Sequence, residues 1–221
     1  MKTLQRWFSR RGALPLSCYL VAAVIWLALG AAHWGSDTLA RACGTMYEAD
    51  LSVTDWQLAG LEPAGGEGGA VTLTTLDGDP QMILEDVSDM VVRTLSYTVT
   101  FEGDAREMCL YYTTKVGEDY SQDRRVFPQA LGDGQYLYTL PRTHIVALRL
   151  DPCSPDENKT VSMTFAPGTI ALNAAETLPA AWQYFVPSWY QAFCLVLYPA
   201  LAAAALSWLR AVWRALRRKT A

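Results

Sequence analysis

The sequence predicts an all-β domain, a β-sandwich of jelly-roll type, flanked by two transmembrane α-helices. Three observations carry that prediction. An uncharged apolar stretch lies near each end, a basic cluster lies outside each stretch, and the residues between them alternate with period two. Nine of the 18 Lys and Arg fall in the first and last twelve residues: Lys2, Arg6, Arg10, Arg11, then Arg210, Arg214, Arg217, Arg218 and Lys219. No acid accompanies them, so all 22 Asp and Glu meet only nine basic residues in the middle, a balance of −13. A chain that is 51% hydrophobic with its cations confined to the ends is neither a disordered tail nor a nucleic-acid binder.

Residues 1–12 form a basic tail, and 13–34 the first span. No formally charged residue occurs from Gly12 to Ser36. About 20 helical residues at 1.5 Å each cross a hydrocarbon core of roughly 30 Å. A cleaved signal peptide would have an apolar region of only about 7–15 residues. The small-residue site Ala40-Arg41-Ala42, ahead of Cys43, lies well past the apolar run and contains an Arg. An uncleaved anchor is the reading that fits. Residues 182–209 supply an interfacial segment and the second span, with Trp182, Tyr184, Phe185, Trp189 and Tyr190 as the aromatic belt. Residues 210–221 are the second basic tail. The positive-inside rule then puts both termini in the cytoplasm and the middle outside the membrane of a bacterial-type envelope. The lipid bilayer is the first expected partner. The spans carry no ionisable Asp, Glu, Lys or Arg, which argues against an ion path. Small residues at Ala28 and Ala32, Ala200 and Ala204, and Ala203 and Ser207 give faces that suit another envelope membrane protein.

Residues 37–176 are expected to form the sandwich. Leu95, Tyr97, Val99 and Phe101 alternate with Ser96, Thr98 and Thr100, the pattern of a half-buried strand. The same alternation runs through 71–74, 146–150 and 161–165. Further strands are expected at 52–58, 81–84, 108–114, 135–140 and 169–172. Turn residues separate them, among them Gly65-Gly66-Glu67-Gly68-Gly69, Asp77-Gly78-Asp79-Pro80 and Gly132-Asp133-Gly134. Short strands at such spacing, with no amphipathic helix between them, point to a sandwich or jelly roll.

Chemical motifs are scarce. Only His33 and His144 are present, and neither has a Cys or His at ligand spacing, so no metal site, cofactor site or catalytic residue is legible. Loop carboxylates at Asp77, Asp79, Glu118-Asp119 and Asp156-Glu157 are a possible calcium set, but their spacing is not an EF-hand and turn acidity accounts for them. Cys18 and Cys194 lie in the spans. Of the outer three, Cys43 and Cys153 are the expected disulfide pair, with Cys109 a buried thiol in a strand. Asn158-Lys159-Thr160 matches a glycosylation sequon. The aromatics Trp56, Tyr111, Tyr120 and Tyr136 are the candidate ligand-binding residues, as rings on which a sugar can stack, set against the alternative that they are core.

One stretch resembles a known kind of module. Leu140-Pro141, then Ile145-Val146-Ala147-Leu148-Arg149-Leu150-Asp151-Pro152, then the 161–165 strand, with Leu110-Tyr111-Tyr112 upstream, is similar to β-sandwich modules of large bacterial membrane proteins associated with cell-surface polysaccharide synthesis. The likeness covers about 60 residues. It implies a non-catalytic extracytoplasmic module that works beside glycan. This chain departs from those proteins in having two spans and no multi-span catalytic portion, so no transferase residue is carried over. The expected function is a membrane-anchored sandwich that binds a ligand or partner, with cell-surface carbohydrate foremost. The alternative is a non-catalytic subunit or fragment of a polysaccharide-synthesis enzyme.

Overall fold

The computed structural model describes residues 12–66, 68–156 and 159–219. The basic residues at 2–11, Glu157 and Asn158 of the sequon lie outside the described residues. Two compact units divide the chain, one of Met1–Ser36 with Pro179–Ala221, the other of Asp37–Leu178.

Two helices dominate the first unit: α1 (Ala13–Ala42) and α2 (Trp189–Lys219). Both are long and apolar enough to cross a membrane, with mean hydropathy 2.0 and 1.9 in their most apolar windows. Only 11% of each window is covered, so Leu20, Val24, Leu201 and Trp208 point their apolar bodies outward. Within this unit the Tyr19 hydroxyl donates to the Val196 carbonyl at 3.0 Å, and Trp26 Nε1 donates to the Phe185 carbonyl at 3.2 Å. Gly30 leaves the slot that Phe185 fills, since a Cβ there would stand 2.8 Å from the Phe185 ring.

Helix α1 continues past the expected span end at 34. Hydropathy measures how far a bilayer extends, whereas helix length is set by where the backbone is capped. Here the cap comes at Gly44, whose φ of +72° suits glycine, and the Cys43 amide still donates to the Leu39 carbonyl at 2.8 Å. The fold is therefore mostly β with two long helices, and not strictly all-β.

The Asp37–Leu178 unit contains β1 (Ala49–Leu51), β2 (Gln57–Ala59), β3 (Leu61–Gly65), β4 (Val71–Thr75), β5 (Gln81–Leu84), β6 (Thr94–Glu102) and β7 (Cys109–Thr113). There follow β8 (Arg125–Val126), β9 (Gln129–Gly132), β10 (Gln135–Thr139), β11 (Ala147–Asp151), β12 (Ser162–Phe165) and β13 (Ile170–Leu172). They form an eight-stranded sheet centred on β4-β12-β6-β10 and a five-stranded sheet ordered β2-β5-β11-β7-β8. The pairing is nested and antiparallel: β4 with β12, β5 with β11, β6 with β10. Successive strands from β4 to β7 alternate between the sheets. The inward side chains of both sheets make one core, with Leu73, Tyr97, Phe165 and Met163 from the larger and Met82, Leu110, Leu148 and Leu150 from the smaller. The buried Tyr97 and Tyr138 hydroxyls satisfy each other at 3.0 Å.

Residue Asp37, in the last turns of α1, is buried in this unit. Arg93 Nε donates to its Oδ1 at 3.1 Å, and the Arg142 guanidinium grips both oxygens at 2.9 and 2.5 Å. Nearby, Asn173 (φ +54°) accepts from the Arg93 amide at 2.7 Å and donates to the Val91 and Tyr47 carbonyls.

Two local expectations are corrected. Residues 52–58 do not form one strand, because Ser52 and Asp55 make a reciprocal cap: Ser52 N–H donates to Asp55 Oδ2 at 2.7 Å and Thr54 N–H to Ser52 Oγ at 3.4 Å. That cap nucleates a short 3-10 turn at Val53–Asp55, after which β2 begins. The expected Cys43–Cys153 disulfide is also absent. Cys43 is exposed just beyond α1, whereas Cys153 turns into the core after β11, and both are free thiols.

Candidate functional site

Strand alternation decides which side chains face outward on the five-stranded sheet. In β11, Leu148 and Leu150 point into the core, so Ala147, Arg149 and Asp151 share the outer face. In β7, Leu110 points inward and Cys109, Tyr111 and Thr113 outward. Register then sets a row straight across the strands: Gln57 opposite Ile83, Ile83 opposite Arg149, Arg149 opposite Tyr111, and Tyr111 opposite Arg125. Asp151 lies opposite Cys109 in the next row.

This outer face holds a concave polar site. Its cavity, of about 330 Å³, is lined by Asp79, Glu107, Tyr111, Arg125, Arg149 and Asp151, together with Gln122, Cys109, Cys153 and Ser154. Arg149 is the central group. Its Nε and Nη2 donate to the two oxygens of Asp151, each at 2.7 Å, and Nη2 lies 3.5 Å from Asp79. The guanidinium stacks 4.8 Å from the Tyr111 ring and 5.8 Å from the Tyr120 ring. Arg125 repeats the pattern at the sheet edge, 3.3 Å from Glu107 and 4.9 Å over the Phe127 ring. Burial pushes the Asp151 carboxyl up, and the Arg149 fork opposes that shift. The same cause pushes the Cys109 thiol up and Cys153 to about 12, which leaves both as inert thiols at neutral pH.

A second cavity, of about 290 Å³, adjoins on the same face, lined by Thr113, Ala147, Glu85, Ser88, Glu118 and Tyr120. Its row, Ala147 opposite Thr113, lies two residues along the strands from the Arg149 row, about 7 Å. Tyr120 lines this second cavity, and its ring stands 5.8 Å from the Arg149 guanidinium that lines the first. Glu118 accepts from the Thr114 amide at 2.9 Å and pairs with Arg124, which together hold its carboxyl down at about 2.

Of the four aromatics singled out from sequence, the fold brings two together. Tyr111 and Tyr120 flank Arg149, although Tyr111 is covered and Tyr120 half-buried. Trp56 is buried in the core, where its Nε1 finds no acceptor among the described residues. Tyr136 lies in the other sheet, half-buried against Tyr97 and edge-on to Phe101 at 6.3 Å. The loop acids serve local ends: Asp77 accepts from the Asp79 amide at 3.0 Å, and Asp156 pairs with Arg106 and Lys159. No cluster of three metal-ligating side chains occurs among the described residues. Sequence reading missed Arg149, Asp151, Arg125 and Glu107. One signal was present, since opposite charges at 149 and 151 of a strand must share a face.

No protein-family model matches this chain, and no curated protein does. Among solved structures, a low-affinity xylan-binding module (CBM86) from the gut symbiont Roseburia intestinalis aligns over 58% of this chain and 98% of its own, with 16% identity and a TM-score of 0.35. The K2 cleaved adhesin domain of Lys-gingipain aligns over 58% of this chain and all of its own, with 12% identity and a TM-score of 0.38. Neither likeness is close enough to carry a residue or a ligand across.

Proposed function

We propose that this chain is a membrane-anchored protein that presents its β unit outside the cytoplasmic membrane and binds glycan on the outer face of the five-stranded sheet. The observation that carries the reading is the 330 Å³ cavity, where paired planar groups, Arg149 with Asp151 and Arg125 with Glu107, stand beside aromatic rings. Neighbouring sugar hydroxyls suit such groups, because carboxylates and guanidinium forks offer two parallel hydrogen-bonding positions. Phe127, 4.9 Å from the Arg125 guanidinium, and Tyr120, 5.8 Å from that of Arg149, offer ring surface beside those groups for the apolar face of a pyranose. The site residues on this reading are Arg149, Asp151, Arg125, Glu107, Tyr111 and Tyr120.

The nested strand pairing supports the jelly-roll wrapping expected from sequence. Tails at 1–12 and 210–221, spans at 13–34 and 182–209 and an outer domain at 37–176 remain the proposed organisation, supported by the basic ends and the two apolar helices. Reporter fusions after Arg11 and after Lys219 are expected to read cytoplasm, and one in the 102–104 turn the outside. Ends on opposite sides would end the two-span reading.

Glycan binding is tested on the full chain in uncharged detergent micelles, by calorimetric titration against neutral and charged oligosaccharides. Tyr120→Ala is expected to weaken binding about three- to tenfold, as loss of one stacking ring should. Equal binding by Tyr120→Ala and Arg149→Ala would move the site elsewhere.

A further inference from the structure

We infer that the two helices hold an anionic phospholipid, with an acyl chain seated in the groove between α1 and α2 and the headgroup phosphate on Arg210. The inference goes beyond the glycan reading and takes from it only that both helices lie in a bilayer. The helices run antiparallel: Tyr19 meets Val196, whereas Trp26, further along α1, meets Phe185, which precedes α2. Between them lies an apolar groove of about 680 Å³, with Leu14, Val21 and Leu29 on one wall and Leu195, Ala202 and Leu206 on the other. From Leu14 to Leu29 is roughly 22 Å of helix at 1.5 Å per residue, so the mean section of the groove is about 30 Å². An α-helix about 10 Å across needs more than twice that section. A third helix can lie against such a groove but not within it, whereas a hydrocarbon chain can enter.

Charge selects the kind of lipid. Arg210 is the one charged residue in the groove wall among the described residues. Along α2 the wall positions Leu195, Pro199, Ala202, Leu206 and Arg210 follow at steps of three and four, which is one stripe of a helix. Helix α2 continues to Lys219, so the same stripe runs on through Arg214 and Arg217. An apolar track for a chain thus passes directly into a cationic track for a headgroup. The unit that contains both helices, Met1–Ser36 with Pro179–Ala221, has nine Lys and Arg and no Asp or Glu. Its counter-charge is not supplied by its own acidic side chains. A phosphodiester anchored by a chain in the groove supplies it at Arg210, where a guanidinium fork suits phosphate oxygens. Basic pockets between spanning helices on the cytoplasmic side are a recurring setting for acidic headgroups. A zwitterionic lipid brings the same chain without the net charge, and free phosphate brings the charge without the chain.

The test is native mass spectrometry of the full chain, released from uncharged micelles after equilibration with equal amounts of dioleoyl phosphatidylglycerol and dioleoyl phosphatidylcholine. The phosphatidylglycerol adduct is expected in about fivefold excess, the size of one basic contact at a membrane surface. Arg210→Gln is expected to remove most of that excess and Arg210→Lys to keep most of it. Ala202→Phe, which fills the groove, is expected to lower retention of both lipids, and millimolar inorganic phosphate to displace neither. Equal retention of the two lipids by wild type, or no retention of either, would overturn the inference. An excess undiminished in Arg210→Gln, full retention in Ala202→Phe, or displacement by phosphate would do the same. Circular dichroism checks the helices of each variant; should Ala202→Phe not fold, Arg210→Gln decides. Each of these outcomes leaves the glycan reading standing, and a failure of glycan binding leaves this one.

Discussion

The two outer faces of the β unit are made by the same alternation of strand residues, yet they present opposite surfaces. On the larger sheet, Thr72 stands opposite Thr164, which stands opposite Thr100, and Thr74 opposite Ser162 in the next row. The hydroxyls bond each other, Thr72 to Thr164 at 2.9 Å and Thr74 to Ser162 at 3.3 Å. Short β-branched side chains favour the strand and close their own hydrogen bonds, so the ladder asks for nothing from outside. On the smaller sheet the same positions carry Arg149, Asp151, Tyr111 and Arg125. Long planar side chains tile less densely, and cavities open between them. Side-chain length, more than polarity, separates a face that stabilises the sheet from one that can hold a ligand.

Four measurements sharpen that contrast. The largest effect is expected for Arg149→Ala, which strips the partner from a buried carboxylate and uncovers two rings. A loss of about 2–4 kcal/mol is expected in urea unfolding of the full chain, together with loss of glycan binding. Adding Asp151→Asn to that variant is expected to return part of the stability and none of the binding, because the stranded charge is gone. Equal stability of Arg149→Ala and wild type would mean that the fork is not a structural pair.

Gly134→Ala comes next, as a backbone control on the hydroxyl side. The residue has φ +74° in the β9–β10 turn, and a Cβ would stand 2.5 Å from the Val99 carbonyl oxygen. Its expected cost is about 1–3 kcal/mol with glycan affinity unchanged.

Glu118 tests the charged face by pH. Its carboxyl is held at about 2, below the ordinary 4.5, by Arg124 first and then by the Thr114 amide. A depressed carboxyl contributes stability above its unfolded value and loses it as pH falls toward the folded one. Wild type should therefore lose stability between about pH 5 and 2 more steeply than Glu118→Gln, followed by fluorescence on acid titration. Superimposable acid profiles would count against the pairing. The smallest effect is expected for Thr164→Val, which removes one rung of the ladder: within about 0.5 kcal/mol, with binding unaltered.

Much of the β fold was legible because it depends on local alternation. The 161–165 pattern identifies its buried face residue by residue, and the 95–101 pattern does so except at Ser96, which is buried as well. What could not be read was partnership. Nothing local in Leu148-Arg149-Leu150-Asp151 says that Tyr111, 38 positions earlier, stands opposite Arg149. Aromatic type alone also could not separate Tyr120, which lines a cavity, from Trp56 and Tyr136, which packing draws inward. The short strands β1, β3 and β9 escaped for a related reason. Short, Gly- or Ala-containing and, in Gln129–Gly132, exposed throughout, they owe their conformation to a neighbour's hydrogen bonds more than to their own composition.

The nested pairing also constrains the order in which the unit can assemble. The contact between Tyr97 and Tyr138 spans 41 residues, whereas that between Thr72 and Thr164 spans 92. Closing the wider loop costs more chain entropy unless the narrower one has already drawn its ends together. Assembly is therefore expected to run from the middle of the chain outward, with β6–β10 before β5–β11 and β4–β12 last. A chain arrested before residue 162 has no strand to fill the place between β4 and β6, although β3 already covers the far edge of β4. The edges that flank this place stay open until the last 17 residues of the unit, 162–178, emerge, which makes this the interval of greatest exposure to wrong pairing. Slow folding follows from the same long-range contacts, and weakening β12 should delay the last step while the centre still forms.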